Sequence, residues 1–146
     1  MSKNSVKNAA QVESKGGDGA KIRSKSSIIV LGMHRSGTSA LTRVLNLGGA
    51  ELPEDLTEAI PGNNEKGFFE SRKLLRTNIR ILNTLQVEWW STEPIEPKRL
   101  DASSLEEHRR EIRYYLTEHT RNRTVFLMKD PRMCRLFPIW EGVLRE

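Results

Sequence analysis

The stretch Gly32-Met33-His34-Arg35-Ser36-Gly37-Thr38-Ser39 has the residue types and spacing to hold an anion. Its layout, G-x-x-x-x-G-[KT]-[ST], is that of a phosphate loop. The glycines let the backbone turn and come close to a ligand. The amides of Ser36, Gly37, Thr38 and Ser39 would converge at the start of a following helix, where the helix dipole favours negative charge. Arg35 cannot act as a base, but its planar fork suits a phosphate or sulfonate oxygen. Thr38 stands where nucleotide triphosphatases carry the lysine that reaches the β- and γ-phosphates. The loop therefore fits a phosphate-type group without the usual ATPase apparatus. An ordinary glycine-containing turn between strand and helix is the plainer alternative.

Such a loop needs a strand before it and a helix after it. Ser26–Leu31 is short, aliphatic and β-branched and reads as a buried strand. Ser39 to Leu47 reads as a helix, with Leu41, Val44 and Leu45 at helical spacing and Gly48-Gly49 as its stop. Pro53–Gly67 reads as a loop. Phe69–Leu85 reads as a second helix, with Leu75, Ile79 and Leu82 on one face and Arg72, Arg76 and Arg80 on another. Trp89–Leu100, with Pro94 and Pro97, reads as a linker. Ser103 with Glu106, or Ser104 with Glu107, forms a capping box for a helix to about Thr120. Thr124–Met128 is a second aliphatic strand, and Met133–Leu144 looks helical around Pro138. Two aliphatic strands separated by helices imply an α/β fold with a parallel sheet. Ligands of such sheets sit at the C-terminal ends of the strands, where Gly32–Ser39 and Lys129-Asp130-Pro131-Arg132 both fall.

The chain has 146 residues and a formal net charge of +5. Residues 1–25 hold six Lys/Arg and two acids, and the remainder holds 18 and 17, so the basic balance lies mostly at the N-terminal end. The whole-chain charge is thus weak support for nucleic-acid binding. Residues 1–25 carry few large aliphatics and read as a disordered basic tail; residues 26–146 read as the domain. A single cysteine, Cys134, allows neither an intramolecular disulfide nor a cysteine metal cluster. The longest aliphatic run, Ile28 to Leu31, is too short to span a membrane. A cytoplasmic setting is expected. His108 and His119 show no metal-binding spacing, and Trp89 and Trp90 read as core or lid packing before an acceptor pocket.

The segment LGMHRSGTSALTRVL resembles the 5′-phosphosulfate loop of sulfotransferases that use 3′-phosphoadenosine 5′-phosphosulfate (PAPS), and above all bacterial members with "GMHRSGTS" loops. Asn64-Glu65-Lys66-Gly67-Phe68-Phe69-Glu70-Ser71 is similar to that group's "N-x-K-G-[YF]-[WF]-E" segment. Met128-Lys129-Asp130-Pro131-Arg132 is similar to its "LKDPR" segment. The resemblance implies a P-loop-like three-layer fold and a sulfonate moved from PAPS to an acceptor hydroxyl or amine, with no metal. It implies that Arg35 contacts the 5′-phosphate and bridging oxygen, and that Ser36, Gly37, Thr38 and Ser39 bind the same phosphate. It makes Glu70 the candidate base, although the helix dipole also favours a Glu in a first turn. His34 is a weaker alternative base and a positioning residue. Lys129 is implied to touch the transferring sulfonate or the acceptor. Asp130 and Arg132 are the simpler case of a structural ion pair.

The strand and Arg…Ser pair that would hold the 3′-phosphate, and the adenine-binding segments, are not found in the sequence. The domain therefore reads as the C-terminally truncated, N-terminal portion of a sulfotransferase-like fold, with its own turnover in doubt. A P-loop nucleotide kinase or NTPase and a non-catalytic anion-binding remnant are the alternatives. Carbohydrate, lipid and small-molecule acceptors all stay open, as does oligomeric state.

Overall fold

The computed structural model describes residues 26–146; the tail expected over 1–25 lies outside them. The chain is mixed α/β. Strand β1 (Ser26–Val30) leads to helix α1 (Thr38–Leu47), and a long irregular stretch precedes α2 (Arg72–Thr84). A short helix, α3 (Pro97–Leu100), and a 3₁₀ turn at Ser103–Leu105 come before α4 (Glu106–Thr120). Strand β2 (Val125–Lys129) and α5 (Met133–Leu144) complete the described chain.

The two strands pair in parallel, from Ser26 opposite Val125 to Val30 opposite Lys129. On the other edge of β2, Glu51 adds one parallel bridge to Phe126. Parallel strands bury both faces, and β2 does so residue by residue. Phe126 and Met128 enter the larger core, packed with Leu74 and Ile81 of α2, Ile112 of α4 and Trp140 of α5. Leu127 faces the opposite way, against Val30 and Ala50, with Leu45 of α1 beside them. The parallel register brings both strands to their C-terminal ends together, so the loop after β1 and the turn after β2 start side by side.

Several expected boundaries move. Leu31 has left the strand and is exposed, while β2 extends to include Lys129. In α1, Leu41, Val44 and Leu47 face outward; the helix instead buries Thr38 and Thr42, with the Thr42 hydroxyl donating to the Thr38 carbonyl at 2.7 Å. In α2 the buried stripe is Leu74, Asn78, Ile81 and Leu82, and Ile79 is exposed. The reason is polar. Trp140 Nε1 donates to Asn78 Oδ1 at 2.8 Å, and Asn78 Nδ2 donates to Asp130 Oδ2 at 3.2 Å. An amide hydrogen-bonded through both its oxygen and its nitrogen thus occupies the buried face of α2, where aliphatic residues were expected. No side chain caps α4, because Ser103 and Ser104 lie within the 3₁₀ turn and the expected capping box does not form. The linker is also more regular in its path than its prolines suggest: it contains α3, its Arg99 donates to the Leu85 carbonyl after α2, and Arg135 of α5 donates to the Glu88 and Glu93 carbonyls.

Candidate functional site

The loop after β1 doubles back tightly. A Cβ on Gly32 would lie 2.4 Å from Thr38 Cγ2 and 2.8 Å from Ser36 Oγ, so only glycine fits this approach. Gly37 has φ +83° and stands at the N-cap of α1, where no side chain caps the helix. The first-turn amides of α1 therefore face the loop without a side-chain acceptor. Arg35 takes φ +62° and Phe69 φ +56°. A left-handed backbone at a bulky non-glycine residue is strained and concentrates at functional sites. Arg35 lines a cleft at the C-terminal ends of the strands, and Phe69 sits between its lining residues Phe68 and Glu70.

That cleft has a volume of about 600 Å³. Its anion-facing side holds Arg35, Gly37, Thr38 and Ser39. Glu70 and Lys129 line it from the second and third motif segments, and His34 and Trp89 line it as well. The three segments meet at the Ser39 hydroxyl. Asn64 Nδ2 donates to Ser39 Oγ at 3.2 Å, Lys129 Nζ donates to it at 3.3 Å, and Ser39 Oγ lies 3.3 Å from the Phe68 carbonyl. Lys129 Nζ also donates to the Phe68 carbonyl at 3.2 Å and to Glu70 Oε1 at 2.5 Å.

Glu70 does not open the helix as expected. Ser71 is the N-cap of α2, accepting from Leu74 N at 3.2 Å, so Glu70 precedes the helix and its position is set by Lys129. Both charged groups are buried, at 6% and 3% exposure. Burial raises the Glu70 pKa above the usual carboxylate value, while the hydrogen bond and charge of Lys129 pull it down. Burial lowers the His34 pKa, with Arg132 and Lys129 adding to the effect, so the imidazole is neutral at neutral pH.

Ser36 is the one expected ligand turned away. Its hydroxyl donates to the Met33 carbonyl at 2.6 Å and braces the loop. Arg35 has no ion-pair partner among the described residues and is exposed to the cleft. Asp130 is fully buried and accepts from Arg132 N at 2.8 Å and Arg132 Nη1 at 3.0 Å. This pair fixes the turn beneath Lys129.

Sequence reasoning missed the role of Asn64 as a tie between segments, although it stands in the second motif. Of the readings for Trp89 and Trp90, core or lid packing first and an acceptor-pocket lining second, the core is excluded: both are exposed, and Trp89 lines the cleft. Their position in a proline-containing linker was the available signal.

A larger cleft of about 810 Å³ lies between α2 and α4. It holds none of the motif residues, and two of its cations are already engaged, Lys73 with Glu118 and Arg80 with Glu111. Volume and chemistry therefore point to different places, and the smaller cleft has the convergent groups that a reaction requires. Among the described residues no group of three or more His, Cys, Asp or Glu is placed to hold a metal. No helix among them is long and apolar enough to cross a membrane. No protein-family model matches the chain, and no curated protein or solved structure resembles it significantly.

Proposed function

We propose that this chain carries the phosphosulfate half of a PAPS-dependent sulfotransferase site, built on a P-loop-like three-layer fold. One observation carries the reading: three segments distant in sequence, each similar to a motif of those enzymes, converge on Ser39 and Lys129. In this reading the acceptor oxygen attacks sulfur as the bond from sulfur to the bridging phosphate oxygen breaks. The electron pair of that bond leaves on adenosine 3′,5′-bisphosphate, and the acceptor proton passes to Glu70. Arg35 and the amides of Gly37 to Ser39 neutralise the leaving oxygen, the place where positioned donors contribute most. Lys129, shared between Glu70 and Ser39, supplies positive charge beside the sulfonate. The acceptor belongs to the carbohydrate, lipid or small-molecule hydroxyls or amines.

Calorimetric titration tests this directly. Adenosine 3′,5′-bisphosphate should bind, and Arg35→Ala should weaken it by about tenfold or more, the worth of a charge-assisted hydrogen bond. Tighter binding of ATP with Mg²⁺ would favour a nucleotide kinase or NTPase. Binding without transfer of labelled sulfate from PAPS to any acceptor would favour the non-catalytic remnant.

A further inference from the structure

Part of the cleft lining, His34 and Trp89, is aromatic and unexplained by anion binding. The His34 and Trp89 rings lie 4.4 Å apart at 54°. Trp90 meets Trp89 edge to face, at 5.4 Å and 87°. Trp89 is 37% and Trp90 59% exposed. Tryptophan is ordinarily well buried, and clustered exposed aromatic surface marks a binding site.

The turn that carries this pair is fixed at both ends. Arg135 donates from Nη1 to the Glu88 carbonyl at 2.6 Å and from Nη2 to the Glu93 carbonyl at 2.5 Å. Ser91 N closes the turn onto the Glu88 carbonyl at 3.2 Å. The indoles are thus held in place before any ligand arrives, which lowers the entropic cost of binding. Polar groups share these grooves with them. Asn63 and Asn64 line the same cleft as Trp89. Ser91 and Thr92 line a second groove of about 450 Å³, which begins between Met33 and Trp90.

An apolar plate rimmed by amides and hydroxyls matches a particular ligand chemistry. A pyranose ring has an apolar C–H face and a periphery of hydroxyls that both donate and accept. An alkyl chain would gain nothing from the Asn63 amide or the Ser91 and Thr92 hydroxyls beside the plate, whereas sugar hydroxyls can bond to them. The neutral state of His34 suits a stacking partner better than an anion ligand.

We propose that the Trp89–His34 wall is an acceptor subsite that stacks against one face of a pyranose ring. Its role as acceptor subsite rests on the sulfuryl-transfer reading; the stacking itself does not. Saturation-transfer NMR on the full chain provides the test, with methyl glycosides of glucose, galactose, mannose and N-acetylglucosamine as probes. At least one glycoside should receive saturation on its ring C–H protons. Trp89→Ala should weaken that binding by about tenfold, as truncation of an aromatic anchor does. Trp89→Phe should retain most of it, and Tyr114→Ala, in the separate α2–α4 cleft, should leave it unchanged. No saturation of any glycoside, or stronger saturation of hexanol at equal concentration, overturns the subsite whatever the variants do. Adenosine 3′,5′-bisphosphate titrated in parallel separates the two claims. Glycoside binding without nucleotide binding removes the sulfotransferase reading and keeps the sugar site. Nucleotide binding without any glycoside signal does the reverse.

Discussion

Lys129 Nζ lies 2.5 Å from Glu70 Oε1, and the two side chains are only 3% and 7% exposed. A pair so placed is strongly sensitive to loss of either partner, because the survivor is a buried charge without compensation. Lys129→Met should therefore cost about 3–5 kcal/mol at neutral pH, read by urea unfolding. Adding Glu70→Gln to that variant should recover most of the loss, since both charges are then gone. A single Lys129→Met variant as stable as the parent would mean that the pair is solvated. Glu70 has a second, chemical signature. Its pKa is raised from the ordinary 4.5, chiefly by burial. If Glu70 is the base of the proposed sulfuryl transfer, it acts only when ionised, and sulfate transfer should fall as pH drops through a value above 4.5. Glu70→Gln should lower the rate by about 10²–10⁴ and abolish that acid limb. An unchanged pH–rate profile in the variant would assign the proton to another group.

The elements around the cleft show which parts of the fold were legible. Strand, glycine loop and helix were all readable around Gly32–Ser39, because aliphatic run, glycine spacing and helix start are local signals. The second and third motifs were readable as segments; the parallel pairing of β1 with β2 places the third beside the first, and hydrogen bonds from Asn64 to Ser39 and from Lys129 to Phe68 and Glu70 tie in the second. The buried face of α2 was not readable, because hydrophobic periodicity gives no weight to a polar residue. Asn78 is fully buried only because Asp130 and Trp140, 52 and 62 residues away, satisfy its amide. The position of Glu70 was hidden for a related reason: Phe69 takes a left-handed backbone that delays the helix to Arg72. Two consequences can be measured. Asn78→Leu leaves the Trp140 N–H and one Asp130 oxygen without their partners and should cost about 3 kcal/mol in urea unfolding, at 1–3 kcal/mol for each buried group. A near-neutral result would show that the core repacks around leucine. Gly32→Ala drives a Cβ into Thr38 Cγ2 and should destabilise by about 1–3 kcal/mol. Thr38→Ser removes that methyl, so the double variant should regain stability over Gly32→Ala alone; failure to do so would place the clash elsewhere.

At the scale of the whole molecule, stability against pH sums groups that pull in opposite directions. Glu70 holds its proton more tightly when folded, so its contribution falls as pH rises above 4.5. His34 and His119 hold theirs less tightly when folded, so their contribution falls as pH drops below 6.5. His119 isolates one such term far from the cleft. Its ring stacks on Phe126 at 6° and lies 4.4 Å from Tyr115, in the core between α4 and β2. Burial lowers its pKa most; Lys73 and Arg123 act in the same sense, and Asp55 and Glu118 oppose them. The folded state therefore binds fewer protons here than the unfolded state below pH 6.5, and stability must decline on acidification. His119→Phe keeps an aromatic ring against Phe126 and removes the titration. The stability of the parent relative to this variant should be level above pH 7. It should then fall with a slope of up to about 1.4 kcal/mol per pH unit as pH decreases through the histidine range. Urea unfolding of both proteins at half-unit steps from pH 7.5 to pH 5 reads this difference directly, and parallel curves over that whole range would show that His119 titrates freely in the folded protein.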